Sequence, residues 1–112
     1  MEIRVMEAGN IKILDFAGKL DTGTSPEAET AISKVLESGC NKLIINLKGI
    51  EYVSSSGLRV FLITVKKLAA LNGQLKICQP SEVVSEILDI SGFSTILDVR
   101  DSEEEALSAM QL

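Results

Sequence analysis

The chain is organised around residues 43–60, LIINLKGIEYVSSSGLRV. The first part, residues 43–47, is short, apolar and rich in isoleucine, which is typical of a strand buried on both faces of a sheet. Three serines, Ser54, Ser55 and Ser56, then stop the apolar run, and a helical pattern begins at Gly57. These residues predict a strand, a tight serine-rich turn and the amino terminus of a helix.

The serine turn has two interpretations. A serine ahead of a helix is most often a cap, so Ser55 or Ser56 is a candidate cap, and Ser54 is a candidate for satisfying the turn. The free backbone N–H groups and the positive end of the helix dipole also suit a phosphate or another anion. Spacing favours the cap and leaves the anion site open.

Hydrophobic periodicity and turn residues predict the remaining elements, in the order ββαβαβαβα. Between Ile13 and Leu14 the alternation of the second strand changes phase, which indicates either a bulge or burial of both faces. In the third helix, Val83 and Val84 are expected to face inward together with Ile87 and Leu88. The predicted strands are 2–7, 11–20, 43–47, 75–78 and 95–99, and helices are expected to start near Ser25-Pro26-Glu27, Gly57, Ser81 and Ser102.

This order predicts an α/β fold, a single domain over residues 1–112. Its mixed, mostly parallel sheet of about five strands begins with an N-terminal antiparallel hairpin and continues through right-handed crossovers. Functional sites in such sheets lie beyond the carboxyl ends of the strands. We therefore expect the loop 21–24 and the serine turn to meet at one edge.

Composition limits the classes of function. The chain has 112 residues, a net charge of -5 and only 4% aromatic residues. The acidic balance argues against direct nucleic-acid binding, and no apolar run approaches the length of a membrane span. The N-terminal residues lack a signal-peptide core, and Cys40 and Cys78 have no CxxC spacing, so we expect free buried thiols and a cytoplasmic location.

The usual components of catalysis and cofactor binding are missing from the sequence. There is no histidine, which removes the commonest general base and metal ligand. No GxGxxG or GxxxxGK[ST] motif is present, and neither cysteine lies in a ligand cluster. We expect no catalytic residue, no metal and no cofactor. A hydrolase acting through Ser55 is the least favoured hypothesis, because no base lies beside it in sequence.

Charge is distributed unevenly along the chain. No acidic residue occurs between Tyr52 and Ser81, whereas this stretch contains Arg59 and three lysines. A phosphate or an acidic partner at the serine turn would therefore meet no like charge from nearby sequence.

The combined pattern resembles the STAS domain, and more narrowly the stand-alone bacterial anti-sigma factor antagonists. The resemblance covers nearly the whole chain, and the serine-glycine-leucine turn after a buried strand is its most specific part. It rests on Gly18-Lys19-Leu20-Asp21, the strand 43–47, Tyr52-Val53-Ser54-Ser55-Ser56-Gly57-Leu58 and Gly92-Phe93.

The resemblance implies a function and a set of site residues. Aligning the family turn on Gly57-Leu58 places its phosphoacceptor at Ser55, with Ser54 and Ser56 as alternatives, and its aspartate at Ser54. The implied partners are an anti-sigma factor that is a serine kinase and a serine phosphatase that acts on the phosphorylated form. Neither direct nucleic-acid contact nor membrane insertion is implied. The expected partner-binding residues are Asp21, Thr22, Thr24, Ser54, Ser55, Ser56, Gly57 and Arg59.

Two further hypotheses stay open. STAS domains also serve as unphosphorylated docking or scaffold modules of signalling assemblies and transport systems. A small-ligand or nucleotide-binding domain would use the same helix N-terminus, although the missing phosphate loop argues against a nucleotide.

Overall fold

The third strand lies at the centre of the sheet, as residues 43–47 predict. The computed structural model describes residues 1–110, so the last two residues of the expected domain lie outside the described range. The strands are β1 (Glu2–Ala8), β2 (Ile11–Leu20), β3 (Lys42–Val53), β4 (Gln74–Cys78) and β5 (Asp98–Arg100). The helices are α1 (Ser25–Glu37), α2 (Ser55–Ala70), α3 (Glu82–Ile90) and α4 (Glu103–Met110), with a 3₁₀ turn at Phe93–Thr95.

The sheet has the order β1-β2-β3-β4-β5. β1 and β2 form an antiparallel hairpin, and every later pairing is parallel, so the predicted fold class and element order are confirmed. Within β2, Ile13 and Leu14 are both buried, in two different apolar clusters. Burial of both faces therefore explains the change of phase, and the register shifts against β3 come only after Asp15.

Both faces of the sheet are covered. α1, α2 and α3 pack on one face through residues that include Ile32, Phe61 and Leu88, and α4 covers the other through Ala106 and Met110. Each fully buried aliphatic or aromatic side chain contributes about 1.5–3 kcal/mol. The two apolar layers pack against β2 and β3, and the ends of these two strands form the candidate site.

The expectations for the last strand and for the buried side of α3 need correction. The last strand begins at Asp98 and not at 95, because Gly92 (φ 81°) starts a 3₁₀ turn whose backbone bonds are local. Val83 is 53% exposed, since α3 turns Val84 and Leu88, one helical turn apart, towards the core, with Ile87 partly buried beside them.

A charged cluster ties β5 to β4. Lys76 is buried, and its Nζ lies 2.6 Å from Oδ2 of Asp98, its register partner. The Arg100 guanidinium hydrogen-bonds the same carboxylate and holds the pKa of Asp98 below its usual range, and Lys76 acts in the same direction. This pairing satisfies a cation that would otherwise be buried alone.

Cys40 and Cys78 are free and buried, as expected. Burial, helped by the nearby carboxylates of Glu103 and Asp15, raises the pKa of the Cys78 thiol to about 12. Within residues 1–110 no group of three or more potential ligands is arranged to hold a metal ion. No helix in this described range is both long and apolar enough to cross a membrane.

Candidate functional site

Two polar loops meet beyond the carboxyl ends of β2 and β3. The parallel register places Leu20 opposite Val53, so both strands end at the same edge of the sheet. The Ser54 N–H donates to the Leu20 carbonyl oxygen at 2.9 Å, which fixes the start of the serine turn against β2. The hydroxyls of Thr22 and Ser56 lie 3.1 Å apart and join the two loops directly.

Gly57 allows this close approach. It is buried, and a Cβ at its position would lie 2.8 Å from the Leu20 carbonyl oxygen and 2.9 Å from Cγ1 of Val53. A side chain at position 57 would therefore push α2 away from the end of β2. Gly57 therefore positions the turn against β2, and its direct contact with a partner stays a prediction.

The helix cap is Ser54, one residue earlier than Ser55 and two earlier than Ser56, the two candidates from spacing. Ser54 has extended backbone angles (φ -86°, ψ 176°), and its Oγ accepts a hydrogen bond from the Gly57 N–H at 3.4 Å. Serine and aspartate are comparable caps. Ser54, where the resemblance places an aspartate, therefore supplies a cap without a negative charge.

The other two serines differ in accessibility. Ser55 is exposed at the first position of α2, and its hydroxyl makes no hydrogen bond to any of residues 1–110. Ser56 is half-buried, and its hydroxyl forms a hydrogen bond with the hydroxyl of Thr22. Of the three hydroxyls in the turn, that of Ser55 is the one presented to solvent without a partner in the described chain.

The loop 21–24 is held by its own side chains. Oδ1 of Asp21 accepts from the N–H groups of Gly23 (3.0 Å) and Thr24 (3.2 Å). The Thr24 hydroxyl accepts from the Asp21 N–H at 3.0 Å and donates to the Lys19 carbonyl oxygen at 2.7 Å. Ser25, where α1 is expected to start, donates its hydroxyl to the Asp21 carbonyl oxygen, and Thr24 occupies the N-cap position. Asp21 and Thr24 thus build the loop, while Thr22 is exposed on it.

The electrostatic setting at the start of α2 favours an anion. Its first turn contains no acidic residue, and the backbone dipole places partial positive charge there. Arg59 is exposed and lies four residues after Ser55, hence on the same side of the helix one turn away. A negative group on Ser55 would have both features within one helical turn.

Sequence reasoning missed two residues at this edge. Lys19 and Tyr52 are register partners at the ends of β2 and β3, and both are exposed beside the two loops. The alternation of side chains along β3 could have predicted the exposure of Tyr52. Neighbouring residues of a strand point to opposite faces, so a buried Val53 places Tyr52 on the other face.

Comparison with known proteins agrees with this geometry. The family model described as "STAS domain" matches residues 2–106. The chain belongs to the STAS domain family. The serine turn and the loop 21–24 described above are thus the carboxyl-edge loops of a STAS domain.

Two similar sequences have names that refer to sigma-factor regulation. BtrV of Bordetella bronchiseptica, provisionally named an anti-sigma factor antagonist, is 28% identical over 111 residues, which cover 99% of this chain and 96% of BtrV. The anti-sigma F factor antagonist of Paenibacillus polymyxa is 26% identical over 113 residues, which cover 100% of this chain and 97% of that protein.

A similar solved structure is that of the anti-sigma factor antagonist SpoIIAA in its unphosphorylated form. It has a TM-score of 0.77 and 21% identity, and the match covers 98% of each chain. SpoIIAA of Bacillus in its phosphorylated form matches with a TM-score of 0.72 and 22% identity, covering 96% of this chain and 98% of that one. These likenesses show that the fold is shared.

Proposed function

We propose that this STAS domain is a cytoplasmic anti-sigma factor antagonist, which binds an anti-sigma factor and is switched off by phosphorylation of Ser55. The observation that carries the proposal is the exposed Ser55 hydroxyl at the start of α2, which has no hydrogen-bond partner among residues 1–110. The names of its relatives, which are called antagonists of anti-sigma factors, support the same role.

In the unphosphorylated state, the anti-sigma factor docks on the surface formed by Thr22, Ser55, Ser56 and Arg59. Thr22 and Ser56 are linked to each other, so the two loops present one continuous polar surface. Its backbone is positioned by the close packing of Gly57 against β2 and by the hydrogen bonds within loop 21–24. A surface that is already ordered loses little conformational entropy on binding, which favours tight association.

In the switch, the partner kinase transfers the γ-phosphoryl group of ATP to Oγ of Ser55. The Ser55 O–P bond forms as the bond between the β,γ-bridging oxygen and the γ-phosphorus breaks; ADP leaves, and the hydroxyl proton passes to a base on the kinase. A serine phosphatase later hydrolyses the ester. This chain is the substrate in both steps, and neither step requires a catalytic group from it.

Phosphorylation adds roughly 1.5–2 negative charges at neutral pH. At the N-terminus of α2 this charge stabilises the helix by about 0.3–1 kcal/mol, so the domain stays folded. In the interface, the phosphate adds bulk and a charge that the docked partner must desolvate. The folded domain therefore persists while the complex with the anti-sigma factor dissociates.

Among the three serines, the hydrogen bonds favour Ser55 as the acceptor. The Ser54 hydroxyl is occupied with the Gly57 N–H, and that of Ser56 is occupied with Thr22. A phosphoryl group on either residue would crowd a hydrogen bond that holds the turn, whereas one on Ser55 crowds none within the described chain.

Incubation with the cognate anti-sigma kinase and ATP, followed by fragment-ion mapping, tests the proposal. We expect one phosphate on Ser55, full loss of modification in Ser55→Ala, and retained modification in the matched control Ser56→Ala. Phosphate on Ser54 or Ser56 alone would contradict the residue assignment. Intact binding to an anti-sigma factor without any phosphate would instead support the unphosphorylated docking module.

A further inference from the structure

An apolar groove runs between β1 and α1, on the side of the domain away from β5. It has a volume of about 640 Å³, and Ile3, Val5, Ala31 and Val35 contribute apolar side chains to it. Val5 is 55% exposed, although it is a large aliphatic residue in a strand. An exposed apolar groove of this kind marks a site of association.

β1 itself is an edge of the sheet. It pairs with β2 on one side, and no strand of the described chain pairs with its other side. Alternate residues along this seven-residue strand therefore point their backbone N–H and C=O groups away from β2, which makes a template for pairing with a further strand.

The groove has opposite charges towards its two ends. β1 and α1 run side by side from the carboxyl end of β2 towards its amino end, since both are antiparallel to β2. Glu27 lines the first part of the groove, and Lys34 lines it two turns later, roughly 10 Å along α1. Neither residue forms a salt bridge with another of residues 1–110.

We propose that this groove is the interface of a homodimer, in which β1 pairs antiparallel with β1 of a second copy. A two-fold axis perpendicular to the sheet reverses the direction of the groove, so Glu27 of each copy comes to the end that carries Lys34 of the other. The same rotation satisfies the free edge of β1. A closed two-fold interface must be self-complementary. Here the same two-fold rotation pairs the backbone of β1 with its copy and pairs Glu27 with Lys34.

The side chains of β1 are compatible with this antiparallel pairing. With the axis at Val5, the exposed Val5 residues of the two copies lie opposite each other, Arg4 lies opposite Met6, and Ile3 lies opposite Glu7. No like charges are placed opposite one another, and the central valine pair is a favourable cross-strand contact. A second copy therefore fits better than an unrelated acidic or basic segment, which would match only one half of the groove.

The dimer goes beyond the proposed function and does not depend on it. The interface uses β1 and α1, whereas Ser55 belongs to α2. Each dimer would thus carry two serine turns.

The dimer can be tested by swapping the charges at Glu27 and Lys34. Light scattering coupled to size-exclusion chromatography gives the oligomeric state, and sedimentation equilibrium gives the dissociation constant. The parent is expected to be dimeric. Glu27→Lys alone and Lys34→Glu alone each create two like-charge pairs, and should raise the dissociation constant roughly tenfold. The double variant restores opposite charges, and its dissociation constant should return to within roughly threefold of the parent value.

Circular dichroism and thermal melting of all four proteins provide the folding control, since Glu27 and Lys34 are exposed and unpaired in the described chain. A monomeric parent would overturn the proposal. A double variant that associates no better than the single variants would also overturn it, because the pairing of Glu27 with Lys34 would then be absent.

Discussion

Oγ1 of Thr22 and Oγ of Ser56 lie 3.1 Å apart, although 34 residues separate them in sequence. This hydrogen bond joins the loop after β2 to the first turn of α2. It turns two separate polar loops into one surface, on which the exposed Ser55 lies next to Ser56.

Removing the hydroxyl of Thr22 should weaken partner binding without unfolding the domain. Thr22→Val keeps the side-chain shape and breaks the bond to Ser56, an exposed contact that contributes about 0.5–1.5 kcal/mol. We expect a small fall in the free energy of unfolding and a clear fall in affinity for the anti-sigma factor, measured by calorimetry. Thr95→Val, in the 3₁₀ turn after α3, is the matched control and should leave the affinity unchanged.

Two substitutions of Asp21 distinguish its structural role in the loop from an electrostatic role in docking. Asp21→Ala removes the acceptor for the Gly23 and Thr24 N–H groups and should destabilise the domain by about 1–2 kcal/mol in denaturant unfolding. Asp21→Asn retains the side-chain oxygen, so its stability should stay close to that of the parent. If Asp21→Asn also binds the anti-sigma factor like the parent, the carboxylate charge takes no part in docking. Equal stability of all three proteins would contradict the geometry of this loop.

The sequence was sufficient to predict the element order, the parallel sheet and the meeting of the two loops. These features follow from strong apolar periodicity and from the rule that parallel strands end at one edge, which Leu20 and Val53 illustrate. The capping residue was misplaced, because all three serines can cap and the strand β3 continues to Val53, which moves the start of α2 to Ser55.

Other local features were not accessible from the sequence. Thr24 and Asp21 bond to each other and to the end of β2, and such reciprocal bonds depend on the exact path of the loop. The exposure of Val83 depends on which side of the short helix α3 meets the sheet. The apolar and charged groove between β1 and α1 arises from elements that are separate in sequence, so no local pattern marks it.

Asp98 should give the domain a defined dependence on acid. Its pKa is lowered in the folded state, chiefly by the Arg100 hydrogen bond, so its contribution to stability is present above the unfolded-state pKa of about 4. That contribution is lost as the pH falls through the lower folded-state value. Asp98→Asn should therefore be less stable than the parent at neutral pH, with the difference shrinking in acid.

Two effects set the size of this difference. Lys76 is left buried without its anionic partner, which costs about 1–3 kcal/mol at neutral pH, while the exposure of Asp98 lets salt screen part of the effect. Urea unfolding of both proteins between neutral pH and about pH 3 measures it. A difference that stays constant with pH would show that the Asp98 carboxylate does not pair in solution.

The proposed switch requires that the phosphorylated and unphosphorylated domains differ in their affinity for the anti-sigma factor. Isothermal titration of the anti-sigma factor with the unmodified domain and with the domain phosphorylated at Ser55 measures that difference, and Ser55→Asp and Ser55→Ala serve as the charged and uncharged controls. We expect phosphorylation to cost about 2 kcal/mol or more, which is a roughly 30-fold loss of affinity. Ser55→Asp should lose part of the affinity and Ser55→Ala should keep it. Equal affinity of the modified and unmodified domains, both folded, would contradict the switch.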